Sequence, residues 1–250
     1  MLLDNLLKIE LGLGVSKRLG VRNLKLGPLM GLLFVHRPDK GNYGCEIWIN
    51  QCQPWYSIEG KHFKPTRDNF SIVHASPRLI IVRMVSSHVS MYVVSAHAPH
   101  VTSTCSFSDW WKLFRQTLKA VCLEGVPIFV GIDANYQLHY SVHVGVGGLN
   151  ILQGPPPDNH DDYMKCVEQH QFLVANSMRE YCNDAYIGNS STFVPNSGNG
   201  SVRIDYMWVS ASVVISAESC CRWSDFQYGE DDKDHLPIGC VVTFPPSKYL

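Results

Sequence analysis

Six short runs rich in β-branched and aromatic residues constrain the fold of this chain more than any other feature. They are GCEIWIN (44–50), RLIIVRMV (78–85), SMYVVSAH (90–97), VPIFVGID (126–133), RIDYMWVS (203–210) and IGCVVTF (238–244). Turn formers bound most of them, so each reads as a strand. Only SSHV separates 78–85 from 90–97, which predicts an antiparallel hairpin. Helical patterns fall between some strands. In SFSDWWKLFRQTLKAVCLEG (106–125) apolar residues recur at three- and four-residue steps, with Ser108 placed to cap the start and Gly125 to follow the end. DNHDDYMKCVEQH (158–170) is a second helix, and the Gly- and Pro-rich HVGVGGLNILQGPPP before it reads as a long loop. No internal repeat or low-complexity linker divides the chain, and 250 residues are ample for a sizeable core. The expected architecture is one α/β domain on largely antiparallel or mixed sheets.

Charge narrows the function classes. The formal net charge is −1, so bulk charge does not recruit a polyanion, and any contact with phosphate needs a local basic site or a metal. Lys61, His62, Lys64 and Arg67 form a candidate DNA-facing loop, with an ordinary solvated loop as the competing reading. The stretch MLLDNLLKIELGLGVSKRLG is interrupted by Asp4, Lys8 and Glu10 and has no leading charged region, so no secretory signal is expected. No apolar run approaches the length of a membrane span. The nine cysteines are odd in number and irregularly spaced, with no C-x-x-C, and Cys45 and Cys240 lie in apolar runs. That pattern points to buried thiols in a reducing compartment, not to a disulfide framework or a zinc site. The expectation is an intracellular protein, nuclear or cytoplasmic, without membrane contact.

Several strands end in polar residues. YVVSAH delivers His97, IFVGIDAN delivers Asp133 and Asn135, RIDYMWV carries Asp205 in an otherwise apolar run, and DKDH places Asp234 and His235 just before the last strand. Alternation puts Asp133 and Asn135 on one side if the strand continues that far. Singly, each has a structural reading. Asp133 and Asn135 suit a turn, Asp205 could pair with Arg203, and His97 could be a satisfied core histidine. Together, two His, three Asp and one Asn suit metal-assisted attack of water on a phosphate ester. Carboxylates hold the cation, amide and imidazoles contact phosphoryl oxygens, and a carboxylate-oriented imidazole handles charge.

The stretches SAHAPH, VGIDANYQL, RIDYMWV and DHLPI resemble, in order and spacing, those of the endonuclease/exonuclease/phosphatase superfamily, the fold of deoxyribonuclease I. GNYGCEIWI and the long loop after DAN look like the endonuclease domains of non-LTR retrotransposons. The resemblance covers roughly residues 41–245 and implies two packed mixed or antiparallel sheets flanked by helices, a four-layer sandwich, over 41–250. Residues 1–40 form an atypical N-terminal segment, and the family's first strands are expected to be missing. By resemblance, His97 contacts the scissile phosphate, Asp133 positions or activates the attacking water and Asn135 stabilises the transition state. Asp205 orients the catalytic histidine His235, and Asp234 is the acid beside the metal. The family's metal-binding Glu has one candidate here, Glu10, without the Gln that normally precedes it. The resemblance therefore implies a Mg²⁺-dependent phosphodiester hydrolase, with Mn²⁺ as an alternative ion and DNA as substrate. A catalytically impaired remnant and a phosphatase for a small phosphorylated molecule are the competing readings, and protein partners are not indicated.

Overall fold

The structure, a computed structural model, describes residues 31–36, 45–50, 54, 56–58, 61–100, 107–139, 145–149, 151–156, 160–195, 200–222 and 235–243. In chain order, β1 (Gly31–His36) pairs antiparallel with β2 (Cys45–Asn50), and β3 (Tyr56–Ile58) with β4 (Lys61–Phe63). Then come β5 (Phe70–Ser76), β6 (Leu79–Val85), β7 (Ser90–His97), helix α1 (Phe107–Val121) and β8 (Ile128–Asp133). Helix α2 (His160–Gln169), β9 (Phe172–Val174), the short α3 (Asp184–Gly188) and β10 (Asp205–Ser210) follow. Four two-residue strands complete the order: β11 (Val214–Ile215), β12 (Cys221–Arg222), β13 (Ile238–Gly239) and β14 (Val242–Thr243).

A six-stranded mixed sheet, ordered β5-β6-β7-β8-β10-β9, is the spine of the molecule. The hairpin expected at 78–97 is present, with Leu79 opposite Ala96 and Val85 opposite Ser90. β7 and β8 run parallel. Parallel neighbours need a crossover, and α1 provides it. The helix begins at Phe107, so Ser108 lies inside its first turn and is not its cap. Gly125 follows it with φ +75°, a conformation that costs glycine nothing. The run at 238–244 is not one strand. It breaks at residues 240–241 because β13 pairs with β12 while β14 pairs with β11.

Side chains alternate across the sheet, and both faces are buried. Tyr92, Val94, Val130, Ile132, Tyr206 and Trp208 face Trp111, Phe114 and Leu118 of α1 and Tyr163 of α2. Met91, Val93, Phe129, Met207 and Val209 face the other way, against Ile47 and Ile49 of β2, Tyr186 of α3, and Ile215, Ile238 and Val242. Two-sided burial explains why these strands read as continuous apolar runs. Cys45, Cys166, Cys182, Cys220 and Cys240 are buried and, among the described residues, form no disulfide. Among the described residues, no helix is long and apolar enough to cross a membrane.

The Gly-rich loop after β8 is held against β9 and the turn beyond it. Val174 N–H donates to Gly145 O at 2.7 Å, Gly147 N–H to Ser177 Oγ at 2.9 Å, and Leu149 N–H to Ser177 O at 3.0 Å. A Cβ at Gly147 would meet Ser177 O at 2.2 Å and Met178 Cα at 2.6 Å, whereas one at Gly148 would meet nothing within 4 Å. Gly147→Ala is therefore expected to destabilise the fold by about 1–3 kcal/mol, the usual cost of overpacking. Gly148→Ala should stay within about 0.5 kcal/mol, as surface changes do. Urea denaturation of the two variants checks both.

Candidate active site

Register builds the first part of the site. In the parallel pair His97 lies opposite Asp133, and in the antiparallel pair Asp205 lies opposite the same Asp133. The three therefore form one row across β7, β8 and β10. All sit at odd positions, on the face that packs against the second layer. His235 comes from that second layer. Its backbone bridges Phe193, next to a segment that pairs with Val202. The site thus lies between the two layers at one end of the central sheet.

The side chains converge. His97 Nε2 is 3.5 Å from Asp133 Oδ2, and His235 Nε2 is 3.9 Å from the same oxygen. His235 Nδ1 lies 3.2 and 3.1 Å from the two oxygens of Asp205. An ionised Asp205 only accepts, which puts the proton on Nδ1 and turns Nε2 toward Asp133. Asp133 and Asp205 are each 2% exposed, and His235 is 8% exposed. Burial first, and the Asp205 carboxylate second, push the Asp133 carboxyl up to about 7; His235, the Asn135 N–H and Arg78 oppose this.

Asn135 does not continue the strand. β8 ends at Asp133, and Asn135 takes a left-handed conformation with φ 45°. Its backbone N–H donates to Asp133 Oδ1 at 2.9 Å, and its side-chain nitrogen donates to Ala98 O at 2.8 Å. The turn and the site coexist here, since Asn tolerates this conformation and closes onto the aspartate two residues earlier. Arg203 is committed elsewhere than the strand-face pairing the sequence suggested. It donates to the carbonyls of Asn176 and Leu149, behind the site.

Asp234 and Glu10 lie outside the described residues. Among those described, Asp133, Asp205 and His235 offer ligand atoms all within 4.8 Å of one another. Two carboxylates and an imidazole make a donor set that fits a divalent cation. The nitrogen suits Mn²⁺ better than Mg²⁺, which prefers oxygen throughout. The basic loop lies toward the far end of the sheet from His97. It leads into Phe70, which pairs with Met84, and Met84 pairs with Met91. His97 lies six residues further along β7, roughly 20 Å at 3.3 Å per residue.

Several residues that hold the site carried no signal in the sequence. Thr192 Oγ1 accepts the N–H groups of Ile204 and Asp205 at 3.1 and 3.0 Å. Asn176 donates to Asp205 O at 3.0 Å and accepts from Met207 N–H at 3.0 Å. Arg78 reaches the carbonyls of His97 and Ala98 at 3.4 and 3.3 Å. The Tyr206 hydroxyl accepts the Leu138 N–H at 3.0 Å and lies 2.9 Å from Arg203 O. Tyr206 stands in the RIDY stretch, the one local hint available.

No protein-family profile and no curated protein matches the sequence. Solved structures do. The endonuclease domain of TRAS1, a telomere-specific non-LTR retrotransposon, superposes with a TM-score of 0.50 at 11% identity, over 85% of this chain and 80% of that one. An AP endonuclease from Archaeoglobus fulgidus superposes with a TM-score of 0.52 at 16% identity, over 86% of this chain and 79% of that one. The chain has a deoxyribonuclease I-like fold, the fold it shares with these two structures.

The raised Asp133 carboxyl fixes the sign of a pH effect. Between about 4 and about 7 the folded, metal-free protein holds a proton that the unfolded chain has lost. This contribution is fully present below about pH 4 and is lost as pH rises through about 7. Urea denaturation of the metal-free protein should show a decline in stability from about pH 5 to about pH 8. Asp133→Asn, which cannot ionise, should remove the part of that decline due to this group.

Proposed function

We propose that the protein is a metal-dependent phosphodiester hydrolase, an endonuclease acting on DNA. The row of His97, Asp133 and Asp205, faced by His235 from the second layer, carries this reading. Both similar structures are described as endonucleases, which supports nucleic acid as the substrate class.

Asp133 takes the proton of the attacking water. A general base works best with a pKa near the operating pH, and burial beside Asp205 holds Asp133 there. Asp205 orients His235 through Nδ1–H, and in the imidazolium form of the ring Nε2–H donates to a phosphoryl oxygen as charge builds on it. His97 borders Asp133 on the opposite side of the row and contacts the same phosphate. Asn135 gives one amide hydrogen to Ala98 O and keeps a second for the transition state. A divalent cation, Mg²⁺ or Mn²⁺, would be held by Asp234 and Glu10 and would supply charge neutralisation at the attacked phosphate.

Nicking of supercoiled plasmid across Mg²⁺ and Mn²⁺ titrations tests the proposal. The wild-type chain should nick DNA, and chelation should stop it. Asp133→Ala and His235→Ala should each lower the rate by about 10²-fold or more, the scale of a lost general acid or base. Hydrolysis of a small phosphate monoester without nicking would replace DNA as the substrate. Inactivity on both, with either metal, would leave a fold without catalysis.

A further inference from the structure

We infer that Phe193 is a positioning residue for His235, fixing the plane of its imidazole; the inference rests on the hydrolase reading for its catalytic consequence. Phe193 carries no local signal in the sequence. It lies in STFVPN, a polar stretch with no strong period. In the fold it sits between two partners. On one side its backbone exchanges both hydrogen bonds with Val202, each 2.9 Å. On the other it forms an antiparallel bridge with His235, and the adjoining Leu236 N–H donates to Thr192 O at 2.6 Å. The two rings meet with centroids 4.9 Å apart, tilted by 54°.

The contact restricts a motion that the Asp205 bond alone leaves open. The contact at Nδ1 holds one corner of the imidazole, and by itself it does not fix the tilt of the ring plane. Phe193 stands against the ring, so tipping is blocked. The ring contact keeps Nε2 on the side of Asp133, 3.9 Å from its Oδ2. Phe193 touches the histidine and is assigned no contact with a reacting atom, so its effect belongs in turnover and not in substrate binding.

The test pairs kinetics with nitrogen-15 spectra of histidine-labelled, metal-free protein at a fixed pH. Phe193→Ala should lower kcat about tenfold, equivalent to about 1.4 kcal/mol, and leave KM within about twofold. In the spectra, His235 should lose the single Nδ1–H form held in the wild type. Phe193→Tyr, which keeps the ring, should retain both kcat and the Nδ1–H form. Phe193→Leu, which keeps apolar volume without the ring, stands in for the Ala variant should that one fail to fold. A folded Ala or Leu variant with wild-type kcat and an unchanged His235 spectrum would overturn the inference and leave Phe193 as packing. Failure of the wild type to nick DNA would instead strike the hydrolase reading, and the spectra would still decide whether Phe193 orients His235.

Discussion

The register among β7, β8 and β10 is the constraint on which the site depends. His97, Asp133 and Asp205 are far apart in sequence, and they become neighbours only because one parallel and one antiparallel pairing place all three in the same row. A slip of one residue in either pairing would turn a carboxylate from the interlayer face to the helix face. The apolar residues on the same strands prevent that slip. Tyr206 and Trp208 must meet α1 and α2, while Met207 and Val209 must meet the second layer. The hydrophobic pattern thus positions the polar residues, whose own burial is unfavourable.

Two buried carboxylates side by side are costly, and the surroundings show how the cost is limited. Asp205 is met by His235, and its backbone is held by Thr192 and Asn176. Asp133 accepts the Asn135 N–H and retains a raised pKa. Behind the row, Arg203 and Tyr206 tie the strand carrying Asp205 to the loops at Leu138, Leu149 and Asn176. Polar groups satisfied in this way hold geometry firmly, because leaving any one of them unpaired in the interior is unfavourable.

The strands at 45–50, 79–85, 90–97, 128–133 and 205–210 are legible in the sequence because each carries enough β-branched and aromatic residues to mark it locally; β1, β5 and β9 are not read there, and the two edge strands β5 and β9 pair with the sheet on one side only. Ser108 and the last strand depart from the sequence pattern for the opposite reason. Whether a serine caps a helix depends on where the preceding chain enters. Whether 238–244 stays one strand depends on β11 and β12, which supply different partners on either side of residues 240–241. Asn135 shows the same limit at the site. Alternation applies only while the strand lasts, and it stops at Asp133.

Sequence by itself determined the kinds of groups available and their order: histidine, aspartate and asparagine at the ends of apolar runs, in RIDY and DHLP stretches that carry their own signature. It also determined an α/β fold, since strand and helix periodicities are properties of neighbouring residues. Tertiary structure alone decided which groups meet. It turned Arg203 toward two carbonyls, set the basic loop at the other end of the sheet, and brought Thr192 and Phe193 to Asp205 and His235. Those contacts join residues tens of positions apart, or groups with no local pattern. A threonine or a phenylalanine acquires such a role only when packing of the two layers brings its partner within reach.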